Sequence, residues 1–330
     1  MSIAIIAIIV FALLFDFLNG IHDSSNIVAT MISSRSFSPR VALGVTAVAE
    51  FSGPFIFGVA VAKTIGNEIV NPEAITPQVL LAALLAAIIW NLLTWYLGFP
   101  SSSSHALIGG FIGAVVVGAG WQTIRLEGIE KVLIALFTSP IIGLVFGYFI
   151  TRLIFFLCRN ATPRVNWIFK RGQILTGVAL ALTHGANDAQ KTMGMITLAL
   201  LIGGYLKEFV VPIWVIVSCA GMIGLGTSIG GWRLIRTLGA KFYKIRPVDG
   251  FSSQLASVLV ILGNSILGGP VSTTQIVSTS IMGVGAAERA NKVRWGVAGE
   301  IGTAWILTIP ATALVAAGIY WLLLFIFPKL

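Results

Sequence analysis

The chain has 330 residues, 57% hydrophobic and 10% charged, with a mean hydropathy of +0.96 and a formal net charge of +9. A soluble domain averages about 25% charged residues, so this composition excludes a water-soluble globule and marks an integral membrane protein. The positive balance fits basic residues kept in cytoplasmic loops, not a nucleic-acid partner. Cys158 and Cys219 form neither a disulfide framework nor a metal-ligand pattern.

In chain order, apolar segments are expected at about 2–33, 41–62, 77–97, 99–120 and 132–152, and again at about 172–202, 209–230, 250–267, 269–286 and 295–327. The start, "MSIAIIAIIVFALLFDFLNG", lacks a basic n-region and a cleavage site, so it reads as a retained span. The first and sixth segments, at roughly 30 residues, exceed the roughly 20 needed for one straight crossing. Both carry polar residues near their middle, which predicts broken or strongly tilted helices. With Met1 outside, the inside loops hold Arg35 and Arg40; Arg152, Arg159, Arg164, Lys170 and Arg171; Arg233, Arg236, Lys241, Lys244 and Arg246; and Arg289, Lys292 and Arg294. The outside keeps only Lys63, Arg125, Lys131, Lys207 and Lys329. The asymmetry favours this orientation.

The two halves repeat. "NGIHDSSN" at Asn19–Asn26 lies over "HGANDAQK" at His184–Lys191, and "GFPSSSSHALIGGFIG" at Gly98–Gly113 over "GGPVSTTQIVSTSIMG" at Gly268–Gly283. Pro100, Glu130 and Pro140 match Pro270, Glu300 and Pro310 at one offset, and "KTIG" at Lys63 echoes "RTLG" at Arg236. The expected fold is an all-α polytopic membrane protein. It comprises two inverted-topology repeats with broken or re-entrant helices, about 10–12 transmembrane segments in all. Residues 1–152 form the first repeat, 153–171 a basic cytoplasmic linker and 172–330 the second repeat.

Asp23 and Asp188 are the sharpest signals. A carboxylate in a membrane interior costs at least about 2.5–3.5 kcal/mol and persists where it pairs, lines a cavity or binds an ion. Asn19, Asn26 and Asn187 stand beside them, and nearby glycines would permit an unwound backbone with inward carbonyls; together these make a hard-cation site. In the second motif pair, Pro after Gly interrupts a helix and Ser or Thr caps the next one. Two such helix N-termini, one from each half, would clamp an anion near the midplane. Glu50 and Asp16 are further intramembrane carboxylates, for coupling or for pairing with a neighbouring helix, and Lys191 could neutralise Asp188 or stay near substrate. The Ser run beside His105 lacks a nucleophile-elbow pattern, so an enzyme is not expected.

With these motifs, the chain resembles the inorganic phosphate transporter family over essentially its whole length. The resemblance implies symport of phosphate with sodium or protons, phosphate and cations between the halves, and a homodimer. No cofactor is implied beyond sodium as the coupling ion. It implies phosphate contacts at Asp23, Ser102, Ser103, Ser104, Asp188, Gln190, Ser272, Thr273 and Thr274. Sodium is expected at Asn19, Asp23, Asn26, Glu50, Asn187, Asp188 and Gln254. His22 stands where the motif has Asn. Gln254, taken as the second-half analogue of Glu50, and Gln275 stand where relatives often carry Glu and His. These losses of titratable groups favour sodium. A proton-coupled phosphate or sulfate permease and, further off, an anion channel are the alternatives. The expected location is the plasma membrane.

Overall fold

The structure is a computed structural model that describes residues 1–99, 101–232, 235 and 245–327. Pro100 and the basic residues Arg233, Arg236, Lys241, Lys244 and Lys329 lie outside the described residues. Eleven α-helices are described: α1 Ile3–Ser33, α2 Pro39–Phe57, α3 Ala60–Lys63, α4 Pro77–Leu97, α5 Ser103–Gly118, α6 Leu126–Leu157, α7 Val165–Ile202, α8 Ile213–Ile229, α9 Pro247–Ile266, α10 Thr273–Glu288 and α11 Trp295–Ile326. Local chemistry sets their starts. Ser2 caps α1 through its hydroxyl, and Pro39, Pro77 and Pro247 open α2, α4 and α9, where a missing N–H costs nothing.

The expected all-helical, two-repeat architecture is present. A long first helix (α1, α7) is followed by a shorter one (α2, α8), a hairpin (α4–α5, α9–α10) and a 32-residue helix carrying an internal proline, Pro140 in α6 and Pro310 in α11. The first helices run antiparallel. Asp16 meets Thr192, Asn19 meets Asp188, Asp23 meets His184, and Ser34 meets Gln173, so α7 recedes as α1 advances. The second half is thereby inverted relative to the first. Segments 153–171 are helical at both ends, since α6 reaches Leu157 and α7 already begins at Val165.

Among the described residues, five helices are long and apolar enough to cross a membrane by length and composition. The 38-residue α7 spans further still but carries the polar island, which lowers its hydropathy. The 16-residue α5 and α10 are about 24 Å long at 1.5 Å per residue, short of a hydrocarbon core of about 30 Å. They fold back on α4 and α9 as hairpins. Gly110 lies against Ala83, Gly118 against Val79, and Trp90 donates to Ser101.

The chain breaks are therefore at the hairpin tips, not in the two long segments. α1 and α7 run uninterrupted through Asp23 and Asp188, contrary to the expectation of unwound backbone there. Gly20 and Gly185 serve contact instead. A Cβ on Gly20 would stand 2.2 Å from the Ile223 carbonyl oxygen of α8, and one on Gly185 would stand 2.2 Å from that of Glu50 on α2. Each half thus lays its second helix against the other half's first helix, through small residues that let backbones touch.

One stability test follows from the same packing. A Cβ on Gly53 would lie 2.1 Å from the Leu182 carbonyl oxygen, whereas one on Gly221 meets nothing within 4 Å. Gly53→Ala is expected to cost about 1–3 kcal/mol by overpacking, and Gly221→Ala to stay within about 1 kcal/mol. Melting midpoints of the detergent-solubilised variants check the contrast.

Candidate functional site

The two hairpin tips meet the middles of α1 and α7. Gly98 and Gly268 both adopt φ +73°, a left-handed conformation that glycine takes without steric cost. It ends α4 and turns the chain after α9. Ser102 then caps α5 by accepting from His105 N at 3.1 Å, and Ser272 caps α10 by accepting from Gln275 N at 3.4 Å. The next two residues of each tip, Ser103–Ser104 and Thr273–Thr274, turn their hydroxyls to the centre.

The contacts obey the repeat. Ser103 donates to Asp23 Oδ2 at 3.1 Å, and Thr273 donates to Asp188 Oδ2 at 3.2 Å. Across the halves, Thr274 donates to Asp23 Oδ1 at 2.9 Å. Asn26 Nδ2 donates to the same Asp23 oxygen at 2.9 Å and to Thr274 Oγ1 at 2.9 Å. On the other side Lys191 Nζ donates to Asp188 Oδ1, to Ser104 Oγ at 2.5 Å and to the Val271 carbonyl at 2.9 Å. Asn187 Nδ2 donates to Asp188 Oδ1 at 2.7 Å and to the Val271 carbonyl at 3.1 Å, and Asn19 reaches Asp188 Oδ2 at 3.4 Å.

A third carboxylate joins through histidine. Glu50 Oε1 faces His184 Nδ1 at 2.7 Å, and Thr227 donates to the other Glu50 oxygen. The far nitrogen, Nε2, stands 3.3 Å from Asp188 and 3.9 Å from Asp23. One ligand atom each from Asp23, His184 and Asp188 lies within 4.8 Å of the others. Two bare carboxylates at that separation repel by about 3.5 kcal/mol at an effective dielectric of about 20, so the arrangement demands positive charge between or beside them. His22 adds a ring nitrogen 3.1 Å from Asp23 Oδ1. These residues are buried. The centre is closed, and roomy cavities lie elsewhere, such as one of about 620 Å³ beside Asn71, Arg125 and Leu206.

The structure therefore brings together Asp23, Asp188, Asn19, Asn26, Asn187, Ser103, Ser104, Thr273 and Thr274, with Glu50 joined through His184. It uses others differently. Ser102 and Ser272 spend their hydroxyls as helix caps. Gln190 accepts from Val61 N at 2.8 Å and Ala62 N at 3.3 Å, holding the start of α3. Gln254 bridges Thr176 at 2.7 Å and Thr30 at 3.0 Å. Gln254 lies on α9, the counterpart of α4, while Glu50 lies on α2, the counterpart of α8; helix order corrects their pairing as repeat analogues. His184 and Thr227 escaped the sequence reading. His184 had a signal: it aligns with Asn19 and sits four residues before Asp188, on one helical face.

Long helices in antiparallel halves and two capped hairpin tips buried on paired intramembrane carboxylates define a polytopic membrane transporter. The family model described as "Phosphate transporter family" matches residues 19–167 and again 157–316. Two proteins called "Probable low-affinity inorganic phosphate transporter" are each 44% identical: that of Rhizobium meliloti, covering 96% of both chains, and that of Bacillus subtilis, covering 98% of both. The chain belongs to the phosphate transporter family. A solved structure titled "The sodium-dependent phosphate transporter" superposes with a TM-score of 0.88 at 24% identity, covering 99% of this chain and 100% of the other, and shows the same fold.

Removing the His184 ring leaves Glu50 with Thr227 alone. Unpairing a buried charge costs about 3–5 kcal/mol, so His184→Leu is expected to lower the melting midpoint sharply. Glu50→Leu added to it is expected to recover part of the loss. A double-mutant cycle in detergent reads the coupling, and strictly additive losses would show that the pair acts independently.

Proposed function

We propose that the chain is a secondary active symporter that imports inorganic phosphate with a cation gradient, sodium being favoured. The observation that carries this is the convergence of two capped helix N-termini and their hydroxyl pairs, Ser103–Ser104 and Thr273–Thr274, on Asp23 and Asp188. The first N–H groups of a helix have no intrahelical acceptor and carry partial positive charge, so a phosphate oxygen docks there readily. Hydroxyls both donate and accept. They hold the carboxylates in this state and turn to phosphate when a cation takes those carboxylates over.

Electrostatics explains why the ions travel together. An anion beside Asp23 and Asp188 is repelled unless a cation lies between. An inside-negative potential opposes each negative charge entering by about 2.3 kcal/mol per 100 mV, and co-transported cations offset it. The oxygen-rich donor set suits sodium. The names of the relatives support phosphate as the substrate. In this reading the protein sits in the plasma membrane as a homodimer, with Met1 outside and the basic loops in the cytoplasm.

One observation favours a second reading. The buried Glu50–His184 pair reaches both aspartates and could carry a proton in place of a sodium ion. Labelled phosphate uptake into proteoliposomes under an imposed sodium gradient, and separately under a pH gradient, decides between the two. Stimulation by the pH gradient alone would replace sodium with protons, and equal flux without either gradient would indicate a channel. Sulfate in excess is expected to compete poorly. Ser103→Ala and Thr273→Ala each remove a hydrogen bond to a charged group, about 1.5–3 kcal/mol. Each is expected to raise the KM for phosphate at least about tenfold, with Asp23→Asn abolishing the cation dependence instead. The reverse ranking would mean that the two residue classes hold the opposite ions.

A further inference from the structure

The duplicated motif aligns Asn26 with Lys191, and the fold keeps the two positions equivalent. Asn26 links Asp23 of its own half to Thr274 of the opposite tip. Lys191 links Asp188 of its own half to Ser104 of the opposite tip. The geometry is shared and the chemistry is not. An ammonium has three donors and no acceptor, and Lys191 completes its three with the Val271 carbonyl at 2.9 Å. Carboxylate, hydroxyl and backbone carbonyl are the oxygens a small hard cation collects. In the first half the matching residue is a neutral amide. Its Oδ1 is buried without a hydrogen-bond partner, as is Oδ1 of the neighbouring Asn19. Two spare acceptors thus lie on α1, one on Asn26 beside Asp23 and one on Asn19, four residues before it. On the Asp188 side an ammonium is built in: Lys191 and Asn187 hold Oδ1, and Thr273, Asn19 and His184 face Oδ2, whereas Asp23 is met by Thr274, Asn26, Ser103 and His22 and by no lysine.

We propose that Lys191 is a tethered cation occupying, in the second half, the position that a transported ion takes in the first, so that the protein couples phosphate to one cation fewer than its duplicated carboxylates would hold. The proposal rests on the symport reading above. A charge anchored to α7 shields phosphate from Asp188 as an ion would. It never leaves the protein, so it adds nothing to the driving force. Lys191 in this view sets coupling stoichiometry.

The full-length protein in proteoliposomes tests it, with labelled phosphate uptake measured against sodium concentration and charge moved per phosphate read from the current. Lys191→Asn restores the first-half residue. It is expected to steepen sodium activation, raising the Hill coefficient by about one, and to move one more positive charge per phosphate. Lys191→Gln is a second route to the same amide if the first variant does not insert. Asn26→Lys is the reciprocal: with both positions filled by ammonium, sodium stimulation should be lost while phosphate still protects the protein against thermal unfolding. The proposal is overturned if Lys191→Asn or Lys191→Gln transports with wild-type sodium steepness and wild-type charge per phosphate, or if Asn26→Lys keeps the wild-type sodium response. If protons drive wild-type uptake, the same comparison is read against pH. Wild-type uptake indifferent to every cation would defeat the symport reading itself, a result distinct from unchanged steepness in the variants.

Discussion

The constraint on which the rest depends is the cost of carboxylates in a membrane interior. Asp16, Asp23, Glu50 and Asp188 are each fully buried, and bare charge at that depth costs several kcal/mol. Every one has partners drawn from another helix: Thr192 for Asp16, His184 and Thr227 for Glu50, and the hairpin tips for Asp23 and Asp188. The hairpins exist in this form because hydroxyls and helix N-termini must be delivered to those carboxylates. Their tips therefore lie in the protein centre, covered by the long helices, where irregular backbone is tolerated away from lipid.

Duplication solves the geometry at low cost in sequence. One half supplies a carboxylate on a long helix and a hydroxyl-bearing tip, and its inverted copy supplies the same again from the opposite direction. Close contacts at Gly20 and Gly185 dock each half's second helix onto the other's first. The two halves are interleaved and share one core, so each carboxylate takes partners from both halves. Departures from symmetry are consequently informative. Lys191 stands opposite Asn26, His184 opposite Asn19 and His22 opposite Asn187, so the two aspartates keep different company where the repeat alone would have produced two equal sites.

The sequence by itself determined the membrane class, the helical fold, the repeat, the tip motifs and the two central aspartates. These are local properties. Hydropathy over a span, a Gly-x-Pro break followed by a serine cap, and a charge inside an apolar run are each written within a few neighbouring residues. Only the tertiary structure decided that α1 and α7 stay helical through Gly20 and Gly185, because glycine serves unwinding or close contact alike and the neighbouring helix makes the choice. Partnership was likewise settled in three dimensions. His184 reaches Glu50, Lys191 reaches Ser104, Gln190 turns to the backbone of α3, and Gln254 bridges Thr30 and Thr176. Those partners lie far apart along the chain. A buried polar group takes whichever donor or acceptor the packing brings within about 3 Å, and no local pattern encodes that encounter.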